Sequence, residues 1–91
     1  MEKRIVIVGG GESGAGSAIL ALKKGFDVFV SDMGTVKDIY RKMLDENGIE
    51  WEEGRHSENM ILTADEVIKS PGIKEDAPIV KLVREKGIPV I

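Results

Sequence analysis

The 91-residue sequence has no cysteine, one histidine, one tryptophan, one tyrosine, two phenylalanines and three prolines. Without cysteine there is no disulfide, no thiolate nucleophile and no cysteine-ligated zinc, in keeping with a reducing compartment. The lone histidine, His56, has no second histidine or acid pair at metal-ligand spacing, so no metal site is expected and it is read as a solvated loop residue. No apolar run approaches the ~20 residues of a membrane-spanning helix. The N-terminal Met-Glu-Lys-Arg enters a short strand pattern directly, without the apolar stretch and cleavage site of a signal peptide. A soluble, cytoplasmic protein or piece of one is expected, with no membrane partner. The net charge is −3. Basic residues alternate with acids at helical spacing, which leaves no basic footprint for nucleic acid. No G-x-x-x-x-G-K-[ST] run is present, so the chain carries no P-loop for ATP.

What is present is 42% hydrophobic and 32% charged residues, a globular composition of a size for one small domain over residues 1–91. Strand and helix patterns alternate throughout. Arg4 to Val8 reads as a buried strand and Ser13 to Lys24 as a helix with Ala15, Ala18, Ile19 and Leu22 inward, ended by Gly25. Phe26 to Ser31 reads as the second strand. Thr35 is expected to cap a helix running to Asn47, with Val36, Ile39, Tyr40, Met43 and Leu44 inward. A short strand at Ile49 to Glu52, a helical turn at Ser57 to Leu62 and a fourth strand at Glu66 to Ser70 follow. Asp76 is expected to cap a last helix with Pro78 in its first turn and Ile79, Leu82 and Val83 inward. Ile88 to Ile91 starts a fifth strand, which the end of the chain interrupts. The expected fold is a Rossmann-like, doubly wound parallel sheet of about five strands in three α/β/α layers.

In such folds ligands bind at the carboxyl ends of the strands, beside the topological switch point. Three loops converge there: Gly9 to Gly14, Asp32 to Thr35 and Ser70 to Ile73. Gly9, Gly11 and Gly14 fit G-x-G-x-x-G between a strand and a helix. The first glycine serves the tight turn, the second close approach of a diphosphate, and the third packing of helix on strand. Glu12 would repel a diphosphate through its side chain, so backbone N–H groups are expected to bind it. Ser13 either donates its hydroxyl to the ligand or caps the helix. Asp32, 18 residues beyond Gly14, sits where an acid reads a ribose hydroxyl or a base N–H, or else caps the loop at Met33-Gly34. In Ser70-Pro71-Gly72, proline stiffens the turn and glycine lets the main chain approach a ligand, or the segment is a plain strand-ending turn. Tyr40 and Trp51 are expected to pack on the sheet. The acid pairs Asp45-Glu46 and Glu52-Glu53 are expected to be solvated surface.

Gly-Gly-Gly-Glu-Ser-Gly (Gly9 to Gly14), Val-Ser-Asp (Val30 to Asp32) and Lys-Ser-Pro-Gly-Ile (Lys69 to Ile73) together resemble the N-terminal domain of the Mur ligases of bacterial peptidoglycan synthesis. The likeness covers the whole chain and about the first fifth of a family member. It implies a domain that holds the UDP of a substrate such as UDP-N-acetylmuramoyl-L-alanine, not a redox cofactor. By position, Glu12, Ser13 and Gly14 would meet the diphosphate, Asp32 and Met33 the uridine, and Pro71 and Gly72 the opposite wall. Many family members carry a polar or basic residue after the aspartate; Met33-Gly34 departs from this and leaves more of the base contact to Asp32. The implied reaction is ATP-dependent amide formation, with ATP and magnesium held by the remaining ligase domains and no catalytic residue in this chain. The glycine loop and Asp32 suit an NAD-binding domain of a dehydrogenase or regulator equally well, and Ser70-Pro71-Gly72-Ile73 is what tips the balance.

Overall fold

Residues alternate between two cores along the first strand, and this fixes the layering. A computed structural model describes residues 2–91. In β1 (Arg4–Val8), Ile5 and Ile7 face one cluster, with Ala15, Ala18, Ala21, Val28, Val30, Leu44 and Ile49. Val6 and Val8 face the other, with Phe29, Ile61, Val67, Ile79, Val80 and Val83. A strand apolar on both faces requires cover on both, which the helices provide.

The remaining elements are α1 (Glu12–Lys23), β2 (Asp27–Asp32), α2 (Asp38–Glu46), β3 (Glu50–Glu53), α3 (Glu58–Ile61), β4 (Glu66–Lys69) and α4 (Pro78–Glu85). The sheet is parallel, in the order β3-β2-β1-β4. Helices α1 and α2 contribute to the first core, and α3 and α4 to the second. The α/β/α layers and parallel sheet are therefore as expected. The chain reverses its direction of winding between β1 and β4, which makes that pair the switch point.

Several boundaries differ from expectation. Among the described residues the sheet has four strands, and the fifth is reduced to one parallel bridge between Val90 and Val67. Backbone bonds at both flanks of this bridge, Val67 N–H to Pro89 and Lys69 N–H to Ile91, show the last residues beginning to pair with β4. Thr35 does not cap α2, because the helix starts three residues later with Lys37 at its N-cap. The intervening segment instead buries Val36, whose N–H donates to Glu53 Oε1 at 2.9 Å. Ile39 is turned outward and 64% exposed. Asp76 does not cap α4, where Ala77 is the N-cap and Pro78 the first helical residue. Val80 is fully buried in that helix and Leu82 only partly. In α1, Ala21 is buried while Ile19 and Leu22 pack at its margin.

Candidate functional site

The glycine loop is shaped by two of its three motif glycines and left open by the third. Gly9 has φ +105°, and a Cβ there would lie 2.7 Å from Ser70 Oγ. Left-handed backbone and lack of room both demand glycine. A Cβ on Gly14 would overlap the carbonyl oxygen of Gly9, so glycine is what lets α1 start against the turn. Gly11 differs: its φ is −81° and nothing lies within 4 Å of a Cβ built on it. Gly11 is the N-cap of α1, and the first intrahelical bond runs from Ala15 N–H to its carbonyl. The N–H groups of Glu12, Ser13 and Gly14 therefore have no partner in the helix and carry its positive dipole end. Ser13 makes no capping bond, and Glu12 and Ser13 are exposed.

The loop after β4 meets the glycine loop across the switch point. Ser70 N–H donates to Val8 O, and its hydroxyl donates to Gly9 O at 3.1 Å. Ile73 N–H donates to Ser70 O, closing a turn with proline in its second position. Lys69 Nζ donates to Ile73 O at the end of that turn. Pro71 and Gly72 are exposed. Gly72 has neither a positive φ nor any atom near a Cβ. Gly11, Gly16 and Gly72 have neither a positive φ nor any atom within 4 Å of a built Cβ. Gly11 and Gly72 lie in the two loops that border the switch point.

Asp32 ties the third loop to the first. Its Oδ2 accepts the Gly10 N–H at 2.7 Å and its Oδ1 accepts the Gly34 N–H at 2.8 Å. The capping role at Met33-Gly34 is thus present, and a carboxylate with about four lone-pair sites keeps acceptor capacity beyond these two bonds. Met33 is 60% exposed. Together with Gly72, Ile73, His56, Ala77 and Pro78 it lines a groove of about 860 Å³ on the α3 and α4 side of the edge. Gly9 to Gly14 and Asp32 are not among the lining residues, so the carboxyl edge has two adjoining parts: the main-chain turn that opens α1 and a mixed groove beyond it.

Two sequence expectations fail behind this groove. Glu52 is 9% exposed instead of solvated, and His56 is half-buried. Ser31, fully buried and paired in register with Glu52, donates its hydroxyl to Glu52 Oε2 at 2.7 Å. The Ser57 N–H donates to the same oxygen, and the Ser57 hydroxyl and Arg55 Nε donate to Oε1. Burial raises the pKa of Glu52, but the bonds from Ser57, Ser31 and Arg55 outweigh it and hold the carboxyl below its ordinary value. His56 Nδ1 lies 2.7 Å from Ser31 Oγ. A hydroxyl has one proton, and the carboxylate is its strongest acceptor, so Nδ1–H must donate to Oγ. Burial lowers the His56 pKa, against opposing fields from Glu52 and Asp32. Glu53 is likewise engaged, in a two-pronged pair with Arg41 Nη2 at 2.8 and 2.7 Å. Asp45 accepts the Trp51 indole N–H. Tyr40 and Trp51 pack against the first core as expected. A period-2 strand pattern at Glu50 to Glu53 was the available signal for Glu52, since it puts Trp51 and Glu53 on one face and Glu52 on the other.

Fold and edge define a Rossmann-like domain in which the glycine loop after β1 and the Ser70 loop after β4 meet at the switch point. Solved structures share this fold: a UDP-N-acetylmuramate:L-alanyl-gamma-D-glutamyl-meso-diaminopimelate ligase from Neisseria meningitides matches with TM-score 0.83 at 26% identity, over all of this chain and 28% of its own. The UDP-N-acetylmuramate-alanine ligase of Thermotoga maritima matches with TM-score 0.77 at 24% identity, over 99% of this chain and 20% of its own. A family model described as the MurD N-terminal domain matches residues 4–79. The chain belongs to that family. A UDP-N-acetylmuramoylalanine–D-glutamate ligase of Bacteroides fragilis is 63% identical over 98% of this chain, and one of Christiangramia forsetii is 55% identical over all of it. The chain spans about a fifth of the length of these relatives, 20% in each case.

Proposed function

We propose that this domain holds the uridine diphosphate end of UDP-N-acetylmuramoyl-L-alanine in a ligase that joins it to D-glutamate. The observation that carries the reading is Gly11 and Gly72, which the domain's own packing does not require: Gly11 opens α1, and Gly72 lies in the loop that Ser70 ties to Gly9. Glycine at those positions is accounted for by a ligand pressed against the main chain. The names of the relatives supply the substrate.

In this reading the free N–H groups of Glu12, Ser13 and Gly14 receive the diphosphate at a helix N-terminus. Gly9 holds the turn, and Ser70 locks the two loops together. Asp32 accepts hydrogen bonds from the uridine, Met33 lies against the base, and Pro71 and Gly72 form the opposing wall. The crevice anchors the substrate's nucleotide handle away from the bond being made, so no reacting group is assigned to this chain. Activation of the alanyl carboxylate by ATP, with magnesium, and its capture by the amine of D-glutamate belong to the remaining ligase domains of a longer protein. A cytoplasmic location is part of the same reading.

The test is a titration of UDP, UMP and NAD into isotope-labelled protein, followed by amide shifts. UDP is expected to move Gly9 to Gly14, Asp32 to Gly34 and Ser70 to Ile73, and UMP to move the first group less. Shifts with NAD alone would overturn the assignment.

A further inference from the structure

We infer that Glu52 is a positioning residue for the nucleoside-reading loop, Asp32 to Gly34, and sets affinity for the nucleoside half of the ligand separately from the diphosphate half. The inference rests on the uridine reading above. Glu52 stands on β3, a four-residue strand at the edge of the sheet, and touches none of the glycine loop by hydrogen bond. A buried carboxylate there is a poor device for stability, because an apolar side chain of similar size often serves a core as well or better. What Glu52 does instead is gather the segments that frame the Asp32 loop. On one side it takes the hydroxyl of Ser31, the residue immediately before Asp32. On the other it takes Arg55 Nε and both donors of Ser57.

Between those two anchors run the bonds that hold the reading loop from behind. Gly54 N–H donates to Gly34 O at 2.8 Å, and Arg55 N–H reaches Asp32 O at 3.4 Å. His56 closes the arrangement through Nδ1 on Ser31 Oγ and is among the residues that line the groove with Met33. No buried side-chain nitrogen or oxygen is left unpaired among the described residues. His56 Nε2, which has no hydrogen-bond partner there, is therefore at accessible surface. The glycine loop shares two anchors with the Ser31 to Gly34 segment, the Asp32 carboxylate and the Ser31 carbonyl, and has others that Glu52 does not touch, the Ser70 hydroxyl on Gly9 O and the Ser70 N–H on Val8 O. Removing Glu52 therefore loosens the nucleoside loop first, while the Ser70 anchors keep the glycine loop in place.

Glu52→Gln tests this, because an amide nitrogen would face donors that already point inward. Titrations of UDP and of inorganic pyrophosphate into wild type and variant are compared by amide shifts. UDP affinity is expected to fall about 5- to 10-fold, the scale of one ordinary net hydrogen bond, while pyrophosphate affinity stays within about 2-fold. Ser57→Ala, which removes one donor and keeps the carboxylate, is expected to show a smaller loss of the same kind. Equal losses for both ligands in either variant would mean a merely structural role and overturn the inference. So would unchanged UDP affinity in Glu52→Gln. If wild type binds pyrophosphate but gains nothing from uridine, the uridine reading itself falls and takes this inference with it, a result distinct from the other two.

Discussion

The two halves of the carboxyl edge are built from opposite materials. Over α1 the crevice is made of main chain, with Gly9 and Gly14 removing side chains so that a turn, a helix start and the Ser70 hydroxyl fit together. Beyond β2 the edge is made of side chains, where Glu52 collects four donors from Ser31, Arg55 and Ser57. A backbone site tolerates almost no added atom where its segments touch, at Gly9 and Gly14. A side-chain hub tolerates changes of volume better than changes of donor and acceptor, since every donor aimed at Glu52 loses its partner at once.

The largest effect is expected from Gly14→Ala. Its Cβ collides with a carbonyl oxygen that cannot move without unwinding the turn, and a loss of about 3 kcal/mol or outright failure to fold is expected. Gly11→Ala is the control, with open space around the new methyl and a stability loss within about 1 kcal/mol from the poorer N-cap. Urea unfolding of the pair measures both, and equal losses would show that the crevice is not shaped by contact. Next in size is Glu52→Ala, expected to lose about 2 kcal/mol by stranding buried donors. A midpoint unchanged from wild type would remove the hub from the account. Asp32→Ala should follow at about 1–2 kcal/mol, from the loss of the bonds to Gly10 and Gly34. Hydrogen exchange at those two amides should rise together, and protection retained at Gly10 would show that the loops are not tied through this carboxylate.

The smallest expected effect is the dependence on pH. His56 has its folded-state pKa lowered, so its neutral form is favoured by folding. The stability it contributes is complete above its unfolded value of about 6.5 and is lost as pH falls toward the folded value. Glu52 is also lowered, and its contribution is present above about pH 4.3 and lost below that. Two successive declines on acidification are therefore expected in urea midpoints, the first absent from His56→Gln and the second from Glu52→Gln. A wild-type profile flat from pH 7.5 to 5.5 would contradict the first.

The glycine loop was readable because its requirements are local. Gly9 and Gly14 are needed by a turn and a helix start only five residues apart, and that need leaves a spacing in the chain. The alternation of strands and helices was readable for the same reason, since burial of β1 on both faces demands an unbroken apolar run at Ile5 to Val8. The ends of helices were less so. Thr35 has the chemistry of a cap, but Val36 is more favourably buried than placed in a first turn, and Arg41 holds that stretch open by donating from Nε to Val36 O while pairing with Glu53.

The amino-acid order by itself determined the layered parallel fold, the tight glycine turn and the convergence of three loops at one edge, because each depends on periodicity or on residues close together in the chain. Only the tertiary structure decided the roles of Glu52 and His56. As letters they belong to a polar, charged stretch. They become a buried hub because parallel pairing of β2 and β3 puts Ser31 opposite Glu52, and that register brings together donors more than twenty residues apart.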